Sequence, residues 1–176
     1  RGIAIMQKSV TTFASGSTLK INEDGTVNVH VAAVDCGQGS NTMLGQIVAE
    51  ELGVRPEDVV MASADTDVGP FDWGTAASRV TFIMGTAVRR AAIDARNQLI
   101  ERAADQMEAR PEDLFIRDGI IRLKSDPDGG IPISDIYMGN HRQGGKGTPI
   151  MGTGTHTYEV THLDENGHGT KPTPFW

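Results

Sequence analysis

The sequence predicts an α+β fold in which a mixed sheet with hairpins is packed by two main helices. Three observations support this prediction: apolar and polar residues alternate around short turns, one segment after residue 40 repeats apolar residues at helical spacing, and a longer helical pattern is rich in alanine. The chain of 176 residues is long enough for one ordinary domain with a core. We therefore expect residues 1–176 to be a single domain, and the start without Met leads us to expect a segment of a larger subunit.

The strands are predicted from alternation and from turn residues. Residues 17–34 are expected to form a hairpin in which "EDG" at 23–25 provides the turn. A second hairpin is predicted around Asp118 and Gly119, within residues 114–123. Further strands are predicted over residues 3–10, 59–62 and 155–163, with the rest of residues 125–176 irregular and rich in glycine.

Two helices are predicted. The first covers residues 40–52 and ends at Gly53, a residue suited to the left-handed conformation that closes many helices. The second runs from about residue 79 toward residue 108, and its many alanines imply close packing against a sheet or another helix. The apolar face of the first helix comprises Met43, Leu44, Ile47, Val48 and Leu52.

The composition excludes several classes of partner. The net charge of −7 and the pI near 5.1 argue against a nucleic acid or an anionic membrane surface, because both need a basic face. No apolar run reaches the length of a membrane-spanning helix. The single cysteine excludes an internal disulfide and a cysteine-rich zinc site, and it favours a reducing, cytoplasmic compartment.

The acidic residues and histidines show no standard metal motif. Asp65, Asp67 and Asp72 share a loop but lack the EF-hand spacing, so we expect them to form turns and caps. The three histidines nearest the C terminus are separated by six residues, which matches no standard zinc motif. We therefore predict no direct metal ligand in this chain.

The segment "AVDCGQGSNT", residues 33–42, places a glycine pair at the joint between a predicted strand and a predicted helix. Gly37 and Gly39 let the backbone approach a ligand closely, and the N–H groups of the first helical turn favour an anion. The same glycines also suit a tight turn in which Ser40 caps the helix. The segment is neither a dinucleotide-binding G-x-G-x-x-G motif nor a Walker A loop. Both interpretations, an anion site and a tight turn, stay open on this pattern.

The segment "GTAASRVTF", residues 74–82, places small residues at the start of the second helix. Ala76, Ala77 and Ser78 have little side-chain bulk, so a ligand has access to their backbone. Two such helix starts are suited to converge on one polyanionic ligand, with Arg79 as a forked phosphate contact. The alternative for Arg79 is an ordinary surface arginine, and the alternative for the segment is a purely structural turn.

Together these segments resemble the molybdopterin-binding large subunit of the xanthine dehydrogenase and aldehyde oxidase family, and especially its 4-hydroxybenzoyl-CoA reductase branch. The resemblance is carried by "DCGQGS", "AEELGV", "ADTD" and "GTAASR", in that order, and it extends over roughly residues 3–104. It implies a molybdenum-cofactor-binding segment of an oxidoreductase that acts on aldehyde, N-heterocycle or aryl-CoA substrates. It also implies molybdopterin as the cofactor, with or without an added nucleotide.

The resemblance implies a placement for this cofactor. The G-Q-G loop is expected near the metal with Cys36 beside it, and the small-residue turn is expected to contact the pterin and its phosphate. No residue of this chain is expected to ligate the metal directly. The implied cofactor-binding residues are Cys36, Gly37, Gln38, Gly39, Ser40, Ala76, Ala77, Ser78 and Arg79.

The sequence departs from the family pattern in two ways. The family's catalytic glutamate lies in a Gly-Glu-Pro segment that this chain lacks, and the cysteines of the family's iron–sulfur domain are also absent. We therefore expect the glutamate in the rest of the parent molybdenum subunit, and the iron–sulfur clusters and FAD on partner domains or subunits. This segment alone is expected to be inactive. The alternative function is a non-catalytic module that binds a phosphate or nucleotide ligand at the same two helix starts.

Overall fold

The computed structural model describes residues 2–5, 13–62, 64–136, 149–159 and 164–168. Within them, two sheets and two long helices form the mixed α+β fold that the sequence predicts. The helices are α1 (Ser40–Leu52) and α2 (Gly85–Met107). No helix in these ranges is both long enough and apolar enough to span a membrane.

The strands of the described ranges divide into two sheets. In chain order they are β1 (Ser15–Ile21), β2 (Val27–Val31), β3 (Val59–Met61), β4 (Leu114–Arg117), β5 (Ile120–Leu123), β6 (Asp126–Pro132) and β7 (Met151–His156). The larger sheet has the order β3-β2-β1-β7, in which β2 and β3 are parallel and the other pairs antiparallel. The smaller sheet, β4-β5-β6, is antiparallel. The larger sheet is therefore mixed, as predicted.

The two helices pack against each other and against the larger sheet, and α2 approaches β7 most closely. Ala87 and Ala91 on α2 are fully buried and face two glycines of β7. A Cβ atom at Gly152 would lie 2.0 Å from the carbonyl oxygen of Ala91, and one at Gly154 would lie 2.1 Å from that of Ala87. The alanine-rich helix thus packs closely against a sheet, as the sequence predicts, because β7 presents glycine there.

Both predicted hairpins and the first predicted helix are confirmed. β1 and β2 pair around the turn at residues 22–26, where the N–H of Asn22 donates to the carbonyl of Thr26 at 2.8 Å. β4 and β5 pair around Asp118 and Gly119, both of which have positive φ. Helix α1 begins and ends at the predicted residues, and Gly53 closes it in the left-handed conformation with φ of 70°.

The C-terminal part of the chain is more regular than predicted. β6 forms within the segment expected to be irregular; its prolines are tolerated because it is an edge strand of the smaller sheet. β7 begins at Met151 rather than at residue 155, and residues 157–159 belong to no regular element. Residues 160–163 lie outside the described residues.

The predicted N-terminal strand is not formed over the part that the structure describes. Residues 2–5 are exposed and belong to no strand, although Ile3 and Ile5 are apolar, and residues 6–10 lie outside the described residues. The long helix also differs from the prediction at its start. Val80–Met84 form a π-helical turn before α2 proper, a local geometry often associated with functional sites.

Candidate functional site

The first loop, residues 32–39, connects β2 to α1 and is organised around Asp35. Its carboxylate accepts the backbone N–H groups of Gly37 at 2.8 Å, Gly39 at 3.3 Å and Asn41 at 3.1 Å. The N–H of Asn41 contributes most, followed by those of Gly37 and Gly39, and together they lower the pKa of Asp35. Asp35 therefore caps α1 and stays ionised at neutral pH.

This arrangement corrects two expectations about the first loop. Ser40 does not cap the helix: it is the first helical residue, it is buried, and the residue before it, Gly39, has a left-handed backbone. The N–H groups of Gly37, Gly39 and Asn41 are also not directed at an external anion, because the Asp35 carboxylate already accepts them. The cap comes from a residue that lies further back in the sequence and carries its own charge.

The surface of the first loop is open. Cys36, Gly37, Gln38 and Gly39 are exposed, and a Cβ atom built on either glycine would meet no atom within 4 Å. The positive φ angles of the glycines, +101° and +77°, explain why glycine is needed here. The Gln38 side chain folds onto its own loop: Oε1 accepts the N–H of Cys36 at 2.6 Å, and Nε2 donates to the carbonyl of Val34 at 3.3 Å.

The second loop, residues 74–79, carries backbone strain at small residues. Ala77 and Ser78 have φ of 47° and 55°, in a left-handed region that costs a residue with a Cβ about 1–2 kcal/mol. Ala76 and Ser78 are exposed, and Ala77 is half-buried. Strain of this kind concentrates at ligand-binding sites, where the surrounding structure maintains it. The loop thus combines a strained backbone with small side chains of its own.

Arg79 supports this loop from inside the protein. Both interpretations made from the sequence placed its side chain at the surface, but it is 0% exposed and forms a salt bridge with the equally buried Asp72. The guanidinium also donates to the carbonyl oxygens of Gly74 at 3.0 Å and Phe13 at 2.7 Å, and to the Ser15 hydroxyl at 2.9 Å. In this conformation Arg79 holds the chain in place and does not reach a ligand at the surface.

The two loops lie side by side and are directly joined. The Thr75 hydroxyl donates to the carbonyl of Val34 at 2.6 Å, across 41 positions of sequence. The structure therefore brings together the two segments that the sequence singles out. Of the predicted site residues, the exposed or half-exposed ones are Cys36, Gly37, Gln38, Gly39, Ala76, Ala77 and Ser78, whereas Ser40 and Arg79 lie buried beneath them.

The remaining candidates have structural roles. Asp65 accepts the N–H of Asp67 at 2.8 Å and so forms a turn, as predicted. His156 packs edge-on against Phe82 with ring centroids 5.8 Å apart, and burial, followed by the charge of Arg90, lowers its pKa. In the part of the chain that the structure describes, no group of three or more His, Cys, Asp or Glu residues is placed to hold a metal ion.

A comparison with models of protein families identifies the family of the chain that carries these two loops. The model of the molybdopterin cofactor-binding domain matches residues 1–175. The chain belongs to this family. This result confirms the family resemblance that the two motifs carry, at the level of the xanthine dehydrogenase-type molybdenum enzymes.

The relatives of this molybdopterin-binding domain include a molybdenum-binding subunit, an oxidase and an oxidoreductase. A putative xanthine dehydrogenase molybdenum-binding subunit of Escherichia coli K12 is 39% identical over 115 residues, which cover 65% of this chain and 15% of that subunit. A probable hypoxanthine oxidase of the same organism is 33% identical over 160 residues, which cover 89% of this chain and 16% of that protein. The crystal structure of quinoline 2-oxidoreductase from Pseudomonas putida 86 matches with a TM-score of 0.73 and 30% identity, over 84% of this chain and 19% of that one.

The exposed residues of the molybdopterin-binding domain fit such a cofactor. Open space in front of Gly37 and Gly39 leaves room for a flat group beside their backbone, and the second loop carries small residues, of which Ala76 and Ser78 are exposed. Sequence reasoning missed Asp35 and Thr75, which organise these loops. An Asp two residues before a Gly-x-Gly is a recognisable turn signal, but no local pattern indicates that Thr75 bonds to Val34.

Proposed function

We propose that this chain is the cofactor-binding segment of a xanthine dehydrogenase-family molybdenum hydroxylase or reductase. The observation that supports this proposal is the hydrogen bond from Thr75 to Val34, because it joins the two loops into one exposed surface. Cys36 to Gly39 form one side of that surface, and Ala76 to Ser78 form the other. The buried Arg79 holds the second loop through the carbonyl of Gly74, and Ser40 is buried at the start of α1.

The chain's own residues bind and orient the cofactor in this proposal. When bound, the molybdenum cofactor supplies the exchange of oxygen and electrons with the substrate. In this proposal Gln38 donates a hydrogen bond near the metal: its amide nitrogen carries two N–H groups, and only one is needed for Val34. Ala76, Ala77 and Ser78 hold the pterin and phosphate end through their backbone, since their own side chains are small.

The activity of the whole enzyme depends on parts beyond this chain, which spans only 15% to 19% of the relatives described above. We propose that residues 1–176 are one segment of a larger cytoplasmic molybdenum subunit and are inactive alone. The catalytic glutamate is assigned to the rest of that subunit, and the iron–sulfur clusters and FAD to partner domains or subunits. The aldehyde, N-heterocycle or aryl-CoA substrate class, the 4-hydroxybenzoyl-CoA reductase branch and a dinucleotide form of the cofactor stay predictions.

Metal analysis of the intact parent protein tests this proposal. We expect molybdenum and a pterin in the purified protein, and a loss of both or of activity in Gln38→Ala with an unchanged melting temperature. Gln46→Ala is the matched control, because Gln46 is exposed on α1 and lies outside both loops. A parent protein that binds a nucleotide but no molybdenum contradicts the proposal and favours the phosphate-binding alternative. Normal molybdenum content and activity in Gln38→Ala remove Gln38 from the site.

A further inference from the structure

The carbonyl oxygen of Val34 accepts hydrogen bonds from both the first loop and the second loop. It accepts the Thr75 hydroxyl of the second loop at 2.6 Å and the Gln38 amide nitrogen of the first loop at 3.3 Å. A carbonyl oxygen has two lone pairs, so both bonds form together. One atom therefore fixes the position of Gln38 relative to the segment that holds Ala76 to Ser78.

The second loop is held by hydrogen bonds at Gly74, the residue next to Thr75. Gly74 donates its N–H to the Asp72 carboxylate at 2.5 Å and accepts a hydrogen bond from Arg79 at 3.0 Å. Asp72 and Arg79 form a fully buried salt bridge, so this anchor is enclosed in the protein. The bonds at Gly74 restrain the backbone beside Thr75, and the Thr75 hydroxyl lies within hydrogen-bond distance of the Val34 carbonyl.

The first loop is anchored just as firmly on the other side of the bond. Asp35, the neighbour of Val34, holds the N–H groups of Gly37, Gly39 and Asn41. Ala33, on the other side of Val34, is buried in the core. Each loop is thus held by hydrogen bonds of its own. The Thr75 hydroxyl links them through its bond to Val34, and nothing in either loop's local sequence compels the contact.

We propose that Thr75 is a positioning residue, whose hydroxyl sets the separation of the two cofactor loops and thereby the retention of the cofactor. The inference rests on the proposed function and adds a residue that the motif analysis did not assign to the site. Thr75 does not itself have to touch the cofactor. Its bond is half-exposed and replaceable by water, so its loss weakens the geometry without unfolding the protein.

The test compares the intact parent protein with three variants. Thr75→Val keeps the side-chain shape and removes the hydroxyl, whereas Thr75→Ser keeps the hydroxyl. Thr153→Val is the control. Thr153 lies exposed on β7, where valine suits the strand. Two quantities are measured: the amide hydrogen exchange of residues 36–41, and the rate at which molybdopterin is lost from the diluted protein, followed by the fluorescence of the released, oxidised pterin.

We expect Thr75→Val to accelerate both the exchange of residues 36–41 and the loss of the pterin by roughly threefold to tenfold, the effect of one lost hydrogen bond. Thr75→Ser and Thr153→Val should match the unmodified protein. Unchanged exchange or unchanged pterin loss in Thr75→Val overturns the inference, as does a serine variant that behaves like the valine variant. A parent protein that contains no pterin overturns the proposed function, and the exchange of residues 36–41 still decides whether Thr75 links the loops.

Discussion

The guanidinium of Arg79 donates hydrogen bonds to both carboxylate oxygens of Asp72, each at 2.9 Å, and neither side chain is exposed to solvent. The same two residues contact the start of β1, where Arg79 donates to Phe13 and Ser15, and Ser15 donates to Asp72. A buried charge is costly unless it is paired, so each member of this pair depends on the other. The pair ties β1 to the strained second loop.

Removal of either charge should therefore destabilise the protein strongly. Asp72→Ala leaves the buried guanidinium without its counter-charge, and we expect a loss of about 3–5 kcal/mol in the free energy of unfolding, measured by urea denaturation. The control is Arg110→Ala, which breaks the solvent-exposed pair of Arg110 with Asp113 and should change little. Equal, small effects at the two sites would show that the Asp72–Arg79 pair is dispensable.

The strained backbone of the second loop predicts a substitution that stabilises the protein. Ala77 has φ of 47°, which glycine adopts without steric cost. We expect Ala77→Gly to raise the free energy of unfolding by up to about 1 kcal/mol, since relief of the left-handed strain exceeds the added entropy of the unfolded chain. In the parent protein the same variant should retain its cofactor less well, because the loop is no longer held in one conformation. Thermal unfolding and metal content measure the two effects.

The neighbouring alanine provides the control for this prediction. Ala76 is exposed like its neighbours in the loop but is not among the residues with positive φ. Ala76→Gly should lower stability slightly, because glycine adds entropy to the unfolded chain and relieves no strain. If Ala77→Gly also lowers stability, the left-handed conformation at Ala77 is not a source of strain.

Local patterns were sufficient for the elements whose determinants are close in sequence. The boundaries of α1 follow from helical periodicity and from Gly53, and the β1–β2 turn follows from its own residues. The position of the two glycine-containing joints at strand or loop ends follows in the same way. The role of residues 36–40 and 76–79 in binding the cofactor stays a prediction, and a measurement of cofactor binding tests it.

Features that depend on distant partners were beyond local reasoning. Arg79 looks like a surface residue in sequence because its partners, Phe13, Ser15 and Asp72, are brought to it by the fold. β7 looks too rich in glycine to form a strand, yet its glycines are required because α2 passes so close. β6 depends on pairing with β5, which compensates for its prolines and glycines.

The contact between α2 and β7 predicts a steric effect at Gly154. Its added Cβ would lie 2.1 Å from the carbonyl oxygen of Ala87 and 2.5 Å from the nitrogen of Ala91, both backbone atoms that cannot move aside independently. We expect Gly154→Ala to reduce the free energy of unfolding by about 3 kcal/mol, at the upper end of overpacking effects. Thr153→Ala, at the exposed neighbouring position, is the control and should have a small effect in the same denaturation experiment.

His156 predicts a dependence of stability on pH. Burial, and secondly the charge of Arg90, lower the pKa of His156 in the folded protein. The unfolded chain therefore binds a proton at a higher pH than the folded one does. The neutral His156 therefore stabilises the folded protein relative to the unfolded chain fully above about pH 6.5, the ordinary pKa of histidine. This stabilisation is lost as the pH falls toward the lower pKa of the folded state. Melting temperatures measured between about pH 8 and pH 5 should decline accordingly.

Substitution of His156 by phenylalanine isolates this effect. His156→Phe keeps an aromatic ring against Phe82, removes the titrating group, and replaces a buried ring nitrogen that has no hydrogen-bond partner among the described residues. We expect this variant to lose less stability than the unmodified protein on acidification below about pH 6.5. Arg90→Met should produce a smaller change in the same direction, because Arg90 is the second cause of the lowered pKa and burial is the first. Parallel pH profiles for the unmodified protein and His156→Phe would mean that His156 does not drive the loss of stability in acid.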